Sequence, residues 1–78
     1  MANMKELSGF INDIERNLQG GNTDFGKIGS SLVTANIYIK MKDRNTNNPI
    51  LKMHLASEQL RLAKMYHAME NLKQALAA

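Results

Sequence analysis

Cysteine and tryptophan are absent from this chain of 78 residues, and proline occurs once. Without cysteine there is neither a disulfide nor a thiolate metal site. Small folds usually depend on such staples or on a partner chain, because a chain this short buries only about 60% of its unfolded surface. The two histidines, His54 and His67, are more than three helical turns apart and cannot share a ligand on one helix. No metal and no cofactor is expected. Aromatic residues are few: Phe10, Phe25, Tyr38 and Tyr66. No long apolar run is present, so no membrane span is expected. The stretch from Met1 to Leu7 lacks the apolar core and cleavage site of a secretory signal. If the protein is exported, a signal-independent route has to carry it. There is room for one small domain, residues 1–78, stabilised by a compact helical core or by oligomerisation.

What is present is apolar periodicity. Leu7, Ile11, Ile14 and Leu18 recur at spacings of four, three and four, which places them on one helical face with Phe10 beside it. This predicts a helix over residues 5–19. Gly20-Gly21 stops it, since glycine adopts the left-handed conformation cheaply. Asn22-Thr23-Asp24 is a turn cluster that supplies an N-cap.

The stretch from Phe25 to Lys42 fits two templates. As a helix, Phe25, Ile28, Leu32, Ala35 and Ile39 form a stripe. As a strand, Val33, Ala35, Ile37, Ile39 and Met41 alternate with polar neighbours. The β-branched content favours a strand locally. A strand needs a partner strand, however, and no second alternating run exists in the chain. The expectation is therefore a helix over Phe25–Asp43, with an inter-chain strand at residues 32–42 as the alternative.

Asn45, Thr46, Asn47, Asn48 and Pro49 punctuate the chain. Asparagine and threonine side chains compete with helical hydrogen bonds, and proline suits the first position of the following helix with Asn48 as its N-cap. From Pro49 to the last residue, Leu51, Leu55, Glu58, Leu62, Met65, Met69, Leu72 and Leu76 step four and three throughout. Seven of the eight are apolar, a heptad seam of the kind that joins helices in bundles. Glu58–Arg61 and Glu70–Lys73 are i,i+3 pairs on the outside. The fold class read from this is all-α, a helical hairpin with a long C-terminal helix and a short N-terminal helix. A helix of about 44 Å carries more seam than a compact monomer covers. The six methionines are expected as core filler.

Net charge is +3, unevenly spread. Residues 1–26 hold two cations against four carboxylates, and residues 27–64 hold seven cations against two. An acidic start and a basic middle favour contact between neighbouring subunits. Lys40, Lys42, Arg44, Lys52, Arg61 and Lys64, with Tyr38 nearby, also suit a phosphate track. Gly26-Lys27-Ile28-Gly29-Ser30 lacks the spacing of a phosphate-cradling loop. Ser30 and Ser31 have no companion base, so no catalytic residue is assigned and an enzyme is not expected.

The segment Asn47-Asn48-Pro49-Ile50-Leu51, followed by Ser57-Glu58-Gln59-Leu60 and then Tyr66 and Lys73, resembles the needle and inner-rod subunits of bacterial type III secretion systems, and more distantly the flagellar rod. That family has a similar Pro-x-Leu entry, a mid-helix Ser-Glu and Tyr, and a late Lys. The resemblance covers residues 47–78 in pattern and the rest in layout. It implies export through the secretion apparatus and helical polymerisation into a hollow tube. It also implies self-association through Leu51, Leu55, Leu62, Met65, Met69, Leu72 and Leu76, with Asn45, Asn47, Asn48 and Pro49 forming the turn between helices. A dedicated chaperone is a further partner to expect. The alternatives are a small basic, dimeric, cytoplasmic nucleic-acid-binding regulator, and a small secretion chaperone that masks another protein's helix.

Overall fold

A computed structural model describes residues 3–78 as three α-helices: α1 over Met4–Gln19, α2 over Phe25–Arg44 and α3 over Pro49–Ala77. Each helix begins on a side-chain cap. The Asn3 side chain accepts from the Glu6 amide at 2.9 Å and donates back to the Glu6 carboxylate. Asp24 accepts from the Lys27 amide at 3.1 Å. Asn48 accepts from both the Ile50 and Leu51 amides, at 2.9 and 3.2 Å, with Pro49 opening α3. These bonds satisfy amides that have no partner inside the helix.

The turns follow their sequence chemistry. Gly20 ends α1 with its amide on the Arg16 carbonyl, and Gly21 then takes a φ of 79°, a conformation costly for any residue with a Cβ. Between α2 and α3, Asn45 caps α2 through its amide, and the Thr46 hydroxyl accepts from the Asn48 amide at 3.1 Å. Lys52 then reaches back from α3. Its ammonium donates to the Asp43 carbonyl at 2.9 Å and to the Asp43 carboxylate at 3.1 Å. A cation on the last turn of α2 suits the negative end of the helix dipole.

The inter-chain strand at residues 32–42 is not formed: the whole stretch is helical. The helical stripe wins because it has a surface to cover it. Ile28, Leu32, Ala35 and Ile39 are buried, whereas Val33, Ile37 and Met41 from the alternating pattern face solvent.

The core is one cluster built from all three helices: Leu7, Ile11 and Ile14 of α1, those four residues of α2, and Leu55, Leu62, Met65 and Met69 of α3. Met4, Phe10, Leu18, Phe25, Tyr38 and Leu51 pack around it. No polar or charged residue is buried among the described residues. Contact is most extensive between α2 and α3 and least between α1 and α3. The molecule is a rod 46 Å long and about 17 Å across, so its length is essentially that of α3. Methionine is not uniformly core filler here, since Met41 and Met53 are exposed. No helix among the described residues is long and apolar enough to cross a membrane.

Candidate self-association surface

The heptad seam of α3 divides into two parts. Leu55, Leu62, Met65 and Met69 are at most 6% exposed and lie in the chain's own core. In the folded monomer they pack against α1 and α2, and of the four Leu55 and Leu62 border the open groove between α2 and α3. Leu51 is half-buried against the same core, and Leu72 is also half-buried. Leu76 ends the seam 60% exposed. The break has a simple cause. Met69 lies beside Gly29, one turn inside α2, so Leu72 falls near the first residues of α2 and Leu76 lies a further turn along α3.

Glu58, the one polar member of the seam, is held rather than stranded. Arg61 donates from Nη1 to Glu58 at 3.4 Å and from Nε to Glu15 of α1 at 3.3 Å, while its Nη2 reaches Asn12 at 2.5 Å. Arg61 is therefore a tie between α1 and α3. Lys52 is likewise engaged with Asp43. Of the six cations that suggested a phosphate track, Lys40 and Arg44 stand beside Lys52 at the turn end of the groove between α2 and α3, and Lys64 is exposed elsewhere on α3. Lys42 is half-buried on α2. The six do not form one continuous strip. Asn45 and Asn48 cap their helices, Pro49 opens α3, and Asn47 is exposed in the turn.

The other exposed apolar surface lies on the face of α2 and α3 turned away from α1. Val33, Ile37, Leu60 and Tyr66 are 51–58% exposed. Between the two helices runs an open groove whose floor includes Leu32 and Leu62, flanked by Val33, Ala63 and Tyr66. Sequence periodicity missed this face on α3. A signal was present on α2, because a segment that satisfies helix and strand templates at once carries apolar residues on two helical faces, and one core buries only one of them.

Comparison of the chain with protein-family models, with curated proteins and with solved structures gives no match. Its chemistry is therefore carried by the geometry alone. Among the described residues no three His, Asp or Glu side chains gather as metal ligands would. The surface grooves are shallow and shared between helices, a shape suited to a helix or a second subunit.

Proposed function

We propose that this protein is a structural subunit that assembles with copies of itself into a rod or filament of the bacterial secretion type, and that it leaves the cell by a signal-peptide-independent route. The observation that carries this reading is the uncovered end of the α3 seam. Leu76 continues the stripe of Leu62 and Met69, yet it is 60% exposed where they are buried. The rod shape supports it, since an elongated bundle with apolar surface at one end stacks head to tail, and contacts of that kind generate open filaments. The residues shared in pattern with needle and inner-rod subunits, Asn47–Leu51 and Ser57–Lys73, support it too. A dedicated chaperone that covers this surface before assembly belongs to the same reading.

The second reading, a small nucleic-acid-binding protein, rests on Lys40 and Arg44 beside Lys52 at one end of the bundle. It has less support, because Arg61 is held by Glu15 and Glu58 of its own chain.

Light scattering and electron microscopy of purified protein, wild type beside Leu76→Glu, test the first reading. Growth of particles with concentration in the wild type, and its loss in Leu76→Glu with the helical signal unchanged, is the expected result. Equal behaviour of the two proteins removes the seam end as the contact. Salt-sensitive retardation of a DNA duplex, lost in a Lys40→Glu, Arg44→Glu variant, is the result that favours the second reading instead.

A further inference from the structure

α3 carries a second heptad stripe beside the buried one. Lys52, Ala56, Gln59, Ala63, Tyr66 and Glu70 step four, three, four, three and four. The first five line the open groove between α2 and α3. All except Lys52 and Glu70, which are half-buried, are exposed. The steps read the same in both directions. A stripe with that property superposes on itself when a second copy is laid against it antiparallel, as in helix pairs with closed two-fold symmetry. Lys52 of one copy then stands opposite Glu70 of the other, Ala56 opposite Tyr66, and Gln59 opposite Ala63. A parallel arrangement would set Lys52 on Lys52 and Glu70 on Glu70.

We propose that this face is an isologous, antiparallel interface between two copies of the chain, with α2 and α3 of each protomer forming a four-helix layer and α1 on the outside. Three features of the structure specify a second copy as the occupant. The first is charge. The turn end of the groove collects Lys40, Arg44 and Lys52 against the single carboxylate Asp43, whereas Glu70 lies at the other end. Antiparallel pairing sets each Lys52 opposite a Glu70 and separates the two basic ends. The second is size. Small Ala56 and Ala63 let two helices approach closely, and each offers space to a larger residue of the other copy, Tyr66 for Ala56 and Gln59 for Ala63. The third is exposed apolar area on the flanks, from Val33, Ile37 and Leu60. The present ion pairs of the two end residues, Lys52 with Asp43 at 3.1 Å and Glu70 with Lys73 at 3.5 Å, are partly exposed surface pairs of the kind that contribute little.

This interface is separate from the α3 seam end, so dimerisation and filament growth can fail independently. A charge-reversal series in sedimentation equilibrium tests it. Lys52→Glu places like charges opposite each other twice per dimer, as does Glu70→Lys, and each should weaken the dimer about tenfold. The double variant Lys52→Glu, Glu70→Lys restores both unlike pairs and should return the dimer to wild-type strength. Ala63→Arg, at an exposed position that leaves the monomer core untouched, should abolish the dimer while circular dichroism stays helical. Because the chain has no cysteine, a mixture of Gln59→Cys and Ala63→Cys proteins should form the mixed disulfide faster than either protein alone. A wild type that is monomeric throughout, single variants without effect, a double variant no better than the singles, or no preference for the mixed disulfide would each overturn the proposal. If Leu76→Glu blocks filaments but leaves the dimer, the two surfaces are distinct as argued. A wild-type dimer that forms no filaments leaves this interface standing and refutes the filament reading alone.

Discussion

Arg61 on α3 donates to Glu15 on α1 at 3.3 Å across 46 positions of sequence. The same guanidinium holds Glu58 at 3.4 Å. This makes Arg61 a structural tie, and it accounts for the one carboxylate that interrupts the apolar seam. Arg61→Ala should cost about 1 kcal/mol in urea unfolding, since it frees a Glu58 carboxylate that is only 16% exposed. Glu15→Ala should cost less, because Arg61 keeps Glu58. A double-mutant cycle over Arg61 and Glu15 then returns a coupling of a few tenths of a kcal/mol, and no coupling would mean the cross-helix contact contributes nothing.

The buried and exposed ends of the α3 seam should respond differently to charge. Leu62→Asp or Met69→Asp places an unpaired carboxylate in the core cluster shared by the three helices, and the helical signal should be lost. Leu76→Glu should leave it intact. Far-ultraviolet circular dichroism of the three variants decides the matter, and a folded Leu62→Asp protein contradicts the placement of Leu62 in the intramolecular core.

Truncation of a core leucine gives a graded version of the same test. Leu55 is 1% exposed and touches the shared cluster. Leu55→Ala should destabilise by about 2–5 kcal/mol, which for a domain of this size approaches its whole stability. Leu60→Ala, at a position 58% exposed, should lie within about 0.5 kcal/mol of wild type in the monomer.

Two glycines should move stability in opposite directions. Gly29 is inside α2, and a Cβ there meets only the Met69 methyl at 3.8 Å, an ordinary contact. Gly29→Ala should stabilise by about 0.5–1 kcal/mol through helix propensity. Gly21, at φ 79°, has open space around it but a backbone that penalises a side chain. Gly21→Ala should cost about 1–2 kcal/mol. Thermal melts of both variants check the pair, and a stabilised Gly21→Ala protein would contradict the turn geometry.

Loss of a cap is measurable at Asn48, which serves two amides at once. Asn48→Ala should cost about 1 kcal/mol, and Asn48→Asp should retain most of the stability because an N-terminal carboxylate caps equally well. Equal losses in the two variants would show that the cap is not the reason Asn48 matters.

Much of this fold is legible in the residues because local and global signals agree. The Leu7–Leu18 stripe, the Gly20-Gly21 stop and the Asn48-Pro49 start each match an element boundary to within a residue. The ambiguity of α2 was real, since Val33, Ala35, Ile37 and Ile39 satisfy two periods, and only the presence of α1 and α3 as cover for Ile28, Leu32, Ala35 and Ile39 resolves it. The heptad of α3 was visible, but its division at Met69 was not. That division depends on where α2 begins and α1 ends in space, which no spacing along α3 records. The groove stripe from Lys52 to Glu70 is hidden for another reason: two small alanines and one tyrosine among glutamine and two charged residues make a weak hydropathy signal, and their common face appears only once α2 is packed beside α3.

Self-association is the central claim, and sedimentation velocity of the wild-type chain over a wide concentration range tests it most directly. The prediction is a reversible shift from a small species to larger ones as concentration rises, with the largest species absent in Leu76→Glu. A single sedimenting species at the monomer mass over the whole range, in protein that is fully helical, would contradict it.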